Sequence, residues 1–225
     1  MKNQQVFDFL REGSWNSSYS SHYECAWLCL NEFESILKVL REKEKTFEEE
    51  MNKMPPEYQG SFLMHHTDDL RTDAYRSATS AHLFVCMAIE GFINFYGVKR
   101  LGETYYKRVL ERVGITEKLM LIYLICFDYK LDPNEDIVKS IRRVFDQRNV
   151  LVHPKTKEFS PKNASQFNYV HPSELEIHIA FEIMEGFVSE MCSRDEQIDK
   201  EFHFKKPYKS IQTSVKVPDD SGVMF

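Results

Sequence analysis

The stretch DPNEDIVKSIRRVFDQRNVLVHP, residues 132–154, decides how this chain is read. Asp132 suits an N-cap, Pro133 the first helical position, and Glu135 and Asp136 the first turn. At ~100° per residue, Ile137, Ile141, Val144, Phe145, Leu151 and Val152 fall on one stripe. The spacing therefore predicts a helix from Pro133 to His153. Arg148 lies near the middle of its apolar stripe. A guanidinium keeps its proton, so burying it unpaired is very costly. Arg148 needs a carboxylate partner, a water-filled cleft or a phosphate. Five residues on, His153 closes the helix before Pro154, whose ring disfavours helical geometry in the residue it follows.

Composition supports a helical chain around this segment. Its 225 residues suffice for one domain, or one domain with a tail. A hydrophobic fraction of 42% and 17 Phe are ample for a core, and only 8 Gly and 8 Pro argue against a many-turned β fold. The net charge of −6 argues against broad, non-specific nucleic-acid binding, which needs a basic surface. A small local basic site remains compatible with it. Cys25, Cys29, Cys86, Cys126 and Cys192 are odd in number and form no CxxC pair. Without a signal peptide they read as reduced thiols of a cytoplasmic protein. No apolar run approaches the ~18 to 20 residues of a membrane span, so no membrane association is expected.

Helical periodicity recurs along the chain. From His22 to Met54, Ala26, Leu30, Phe33, Leu37, Leu40, Phe47 and Met51 keep the three-four spacing of a packing seam, broken at Glu44. An intramolecular helix hairpin accounts for this better than an extended coiled coil. Pro55-Pro56 stops it. A second helix is predicted over Glu57–Tyr96, its half from Ala81 to Ile89 apolar on nearly every side. Gly97 and Gly102 bracket a short connection. Two shorter helices follow, Thr104–Val113 and Thr116–Phe127, parted by Gly114. Ser173 and Glu176 make a capping-box start for a last helix, from Glu174 to Cys192. The short apolar patch Val6 to Leu10 precedes a Ser-rich linker, and Ile211, Thr213, Val215 and Val217 alternate with polar residues as in a strand or extended arm. The expected architecture is all-α: one helical domain over residues 1–192, with a core at about 57–192, a helical extension at 22–54 and a polar tail at 193–225.

Glu90 is a second misplaced charge. It shares a face with Leu83, Met87 and Asn94 on the mostly apolar second helix, where a carboxylate also needs a partner. Glu90 and Arg148 are the simplest solution to each other, which predicts that the two helices pack and place this pair beside a cleft. A buried ion pair without function is the alternative. His153 adds chemistry. The helix dipole favours the imidazolium at a C-terminus, and a histidine near neutrality beside an arginine suits proton transfer on a phosphate ester. Arg148 would bind the phosphate in two-pronged fashion and stabilise developing charge, and Asn149 would position the phosphate or the histidine.

Arg148-Asn149-Val150-Leu151-Val152-His153 at the end of a late helix resembles the signature of the HEPN domains (higher eukaryotes and prokaryotes nucleotide-binding). The segment Ser80 to Asn94, with Glu90 ahead of Gly91, resembles the earlier helix of that family. The resemblance covers residues 75 to 192. It implies a HEPN-like bundle of four or five helices, to which the periodicity of residues 22–54, outside the family pattern, adds a long N-terminal helix hairpin. It also implies a homodimer whose Arg-His motifs meet in one cleft, and metal-independent endoribonuclease activity without a cofactor. The ribose 2′-hydroxyl would attack the adjacent phosphate, leaving a 2′,3′-cyclic phosphate and a 5′-hydroxyl. By the same resemblance Arg148, Asn149 and His153 are catalytic, and Glu90 orients Arg148. Such proteins serve as toxins, in phage defence or in RNA processing, some held by an antitoxin or other partner protein. Other members are inactive binding or dimerisation modules, which is the competing expectation: a nucleotide-binding or protein-interaction module. The net charge favours that module, and the intact motif favours the enzyme.

Lys155, Lys157 and Lys162, just after His153, would give RNA a local positive rim, with Tyr169 and His171 available to stack on bases. His22, Cys25 and Cys29 on one helix face, and His65, His66 and Asp69, lack the distant fourth ligand of a metal site, so no metal is expected. Cys86 and Cys126 read as core residues. Glu174, His178 and Glu182 read as a solvated ladder.

Overall fold

The computed structural model describes residues 18–152 and 176–198. Among these residues there are six helices and no strand: α1 (Tyr19–Met51), α2 (Pro56–Leu101), α3 (Glu103–Val109), α4 (Ile115–Phe127), α5 (Asp136–Val152) and α6 (Ile177–Arg194). The chain is all-α, as its composition and periodicity predict. The apolar patch at Val6–Leu10 and the alternating segment at Ile211–Val217 lie outside the described residues.

The seam residues Ala26, Leu30, Phe33, Leu37 and Leu40 of α1 are buried. They pack along α2 as an antiparallel hairpin. Tyr19 stacks on Phe95 at the open end, and Phe47 meets Phe62 and His66 near the tip. α1 starts one turn earlier than its periodicity predicts, because Tyr19 is itself a core residue. Glu44, the break in the seam, is paired with Arg71 of α2 at 2.6 Å. Pro56 occupies the first helical position of α2, where its missing N–H costs nothing.

α2 touches each of the other five helices and forms the centre of the bundle. Its apolar half is long and apolar enough to cross a membrane, contrary to the sequence expectation, but 56% of that stretch is buried inside the protein. Gly97 does not end the helix. It is buried against Tyr106, where an added Cβ would lie 2.8 Å from the ring. The end comes at Gly102, with φ of 80°, a conformation that glycine adopts without strain. Asp128, in the left-handed region at φ 49°, closes α4.

α5 begins at Asp136, one turn later than predicted. The capping residues are used in the turn before it: Asp132 Oδ1 accepts from the Asn134 N–H at 2.7 Å, and Glu135 reaches back to the Asp132 N–H at 2.8 Å. α6 begins at Ile177. Glu176 is not the third residue of a capping box. It precedes the helix, and its carboxylate accepts from Arg143 and from Gln147 Nε2, tying this end to α5. Ser173 and Glu174 lie outside the described residues. The bundle also extends past residue 193, where a polar tail was predicted. Asp195 accepts from Tyr96 and Arg100 of α2 at 3.0 and 2.8 Å, and Ile198 is buried.

Candidate functional site

α5 and α2 pack as expected, with His82 of α2 donating from Nε2 to the Val144 carbonyl at 2.9 Å. Burial lowers the His82 pKa, opposed by that hydrogen bond, so the neutral ring is favoured. The buried stripe of α5 is Val138, Ile141, Val144 and Phe145. Beyond Phe145 the stripe rises out of the core: Arg148 and Leu151 are half-buried and Val152 is exposed.

Arg148 and Asn149 open into a polar cleft of about 320 Å³. Its walls are Glu90 on α2, Gly114 to Thr116 at the start of α4, and Arg142, Asp146, Arg148 and Asn149 on α5. The first backbone N–H groups of α4 have no intrahelical acceptor, so this wall is suited to negative charge. Two guanidiniums and two carboxylates therefore line a space large enough for a phosphodiester, with only Glu90 contributed from α2.

Glu90 and Arg148 line this cleft together, but the closed pair expected from the sequence is not formed. Among the described residues no carboxylate lies within 4.0 Å of Arg148. Its Nη1 donates instead to Asn149 Oδ1 at 3.1 Å. Partial exposure explains the difference, since a guanidinium open to water does not require a carboxylate. Cys86 is within electrostatic reach of both charges. Burial pushes its thiol up to about 12, with Arg148 opposing and Glu90 adding to the shift.

The Glu90 charge also reaches a polar cluster that sequence reasoning missed. Lys118 of α4 is buried, and its Nζ donates to Asn94 Oδ1 at 2.8 Å. Tyr106 donates to the same oxygen at 2.5 Å, and the Lys118 ammonium lies 5.6 Å from the Tyr106 ring centre. Burial lowers the Lys118 pKa, while Glu90 and Glu111 hold it up. Burial pushes the Tyr106 hydroxyl up to about 12, reinforced by Glu111 and Glu90. The overlooked signal was of the same kind as Arg148: one lysine among the apolar residues of α4.

His153 follows Val152 directly in the sequence but lies outside the described residues, as do Lys155, Lys157, Lys162, Tyr169 and His171. Among the described residues no group of three His, Cys, Asp or Glu is arranged to hold a metal ion. His66 is occupied instead in ring contacts with Phe47 and Phe62. His178 approaches Glu34 of α1 at 3.9 Å. A second pocket, about 210 Å³, lies between Thr79, His82, Val150 and Leu151. Its walls are mostly apolar and offer an anion little. Guanidiniums and carboxylates together line the Arg148 cleft.

No family model, no curated protein and no solved structure matches this chain.

Proposed function

We propose that this chain is a metal-independent endoribonuclease of HEPN type, with the Arg148 cleft as its phosphodiester site. The observation that carries the reading is the open guanidinium. Arg148 stands in a polar cleft beside Asn149 with no carboxylate of the described residues closed on it, five residues before His153 in the sequence. An arginine in that state presents paired N–H donors to a phosphate without first breaking a salt bridge. The first turn of α4 adds donors on the opposite wall.

In this reading the ribose 2′-hydroxyl attacks the adjacent phosphorus while the P–O5′ bond breaks. His153 takes part in the proton transfers, from the attacking hydroxyl or to the leaving 5′-oxygen. Arg148 stabilises the charge on the non-bridging oxygens, and Asn149 holds the guanidinium in place. Lys155 and Lys157 supply the positive rim. A homodimer would bring two such motifs together. The exposed Met87, one turn from Glu90, and the exposed Val152 are apolar side chains suited to that contact. The biological setting is a toxin, phage-defence or RNA-processing role, with an antitoxin or other protein partner as regulator.

The test is incubation of the purified protein with mixed-sequence RNA in EDTA, with the product ends read by mass spectrometry. Cleavage to 2′,3′-cyclic phosphate and 5′-hydroxyl ends is expected. Binding of RNA or nucleotide by a folded dimer, with no cleavage of any RNA tested, would instead favour the non-catalytic module.

A further inference from the structure

Lys118 is 3% exposed, on a helix whose other buried residues beyond Thr116 are Leu119, Ile122 and Tyr123. A lysine in such a position is retained against a large desolvation cost, so what it faces matters. One of its three N–H donors goes to Asn94 Oδ1 at 2.8 Å. That oxygen is shared with Tyr106. Glu90 lies one helical turn before Asn94 on the same face of α2, and residues four apart on a helix are side-chain neighbours. The Glu90 carboxylate therefore acts on two cations: its charge reaches Lys118, and it lines the same cleft as Arg148. It is closed on neither within 4.0 Å.

We propose that Lys118 is a positioning residue for the Arg148 cleft: its charge holds the Glu90 carboxylate away from Arg148 and so leaves the guanidinium open to a phosphate. This rests on the reading of the cleft as a phosphodiester site. The ammonium never touches substrate. It acts through Glu90, because a carboxylate shared between two cations is attracted less one-sidedly to either. Without the charge of Lys118, the cations left to attract Glu90 are the cleft guanidiniums, Arg148 among them. Glu90 and Arg148 then close into a salt bridge that a phosphate must displace. Lys118 falls in neither segment that carries the Arg-His resemblance.

The experiment is an NMR titration of the ¹⁵N-labelled full chain with inorganic phosphate, following the Arg148 Nε–H and Asn149 side-chain signals. It compares the native chain with Lys118→Met, Lys118→Arg and the double variant Lys118→Met/Glu90→Gln. Lys118→Met is expected to bind phosphate at least about fivefold more weakly, and the double variant to return towards native affinity, the signature of coupled neighbours. Lys118→Arg, which keeps the charge, is expected to stay within about twofold of native. If the native chain binds phosphate at Arg148 and Lys118→Met binds it equally well, the role of Lys118 is overturned while the cleft reading stands. If Lys118→Met is weakened and the double variant is no better, Lys118 is only structural and the proposal fails. If Lys118→Met does not fold, Lys118→Arg decides: a folded Lys118→Arg that has lost phosphate binding overturns the charge argument, and native-like binding supports it. If the native chain shows no response at Arg148, the phosphodiester reading falls and the proposal with it.

Discussion

Arg148 and Glu90 face one cleft from adjacent helices, and the guanidinium is satisfied by Asn149 Oδ1 at 3.1 Å rather than by the carboxylate. This relationship separates stability from function at the site. A closed buried pair is costly to break, commonly 3–5 kcal/mol, whereas a half-exposed arginine without a carboxylate contributes little. Arg148→Ala is therefore expected to unfold in urea within about 1 kcal/mol of the native chain. A loss of about 3 kcal/mol or more would show a closed structural pair and remove the argument for an open phosphate site.

Gly97 tests the packing that positions Lys118. The Cβ of an alanine there would lie 2.8 and 2.9 Å from two carbons of the Tyr106 ring, which is held by its bond to Asn94. Alanine is the better helix former by about 1 kcal/mol. Overpacking typically costs about 1–3 kcal/mol, and the ring has little freedom to retreat. Gly97→Ala is expected to lower the melting temperature despite its propensity gain. An unchanged or higher melting temperature would show that Tyr106 is free to move.

His82 gives the fold a pH dependence of known sign. Burial depresses its pKa below the ordinary value, and the neutral ring holds the Val144 carbonyl. A depressed pKa means that the unfolded chain takes up the proton first as the pH falls. The contribution of His82 is thus present above about pH 6.5 and is lost as the pH falls through its folded value. Urea unfolding at pH 7.5 and pH 5.0 should show a smaller loss on acidification in His82→Gln than in the native chain. Equal losses in both would assign the acid sensitivity elsewhere.

The helices were legible in the sequence because their apolar residues recur at helical spacing, as in Ala26, Leu30, Phe33, Leu37 and Leu40. What the sequence hid were contacts between distant residues. Glu44 looked like a flaw in a seam, and its explanation, Arg71, lies 27 residues away on the next helix. Gly97 looked like a helix end because glycine is read as a breaker, whereas here its missing side chain admits the Tyr106 ring. Asp195 fell within the polar tail read from residue 193 onward, yet Tyr96 and Arg100 are brought against it. At the site, Arg148 and Glu90 were legible as charges on apolar faces, and Asn149 as the polar residue directly after Arg148. Thr116 and Arg142 were not, because only the packing of α4 against α2 and α5 brings them to the same place, while Lys118 carried a signal that was overlooked.

The central claim is that Arg148 and His153 act together on a phosphodiester. The most direct measurement is RNA cleavage in EDTA by the native chain, Arg148→Ala and His153→Ala, all purified identically and checked for folding. The account predicts cleavage by the native chain and a loss of at least about 100-fold in each variant. Equal cleavage by all three would contradict it, since the activity would then arise without either residue.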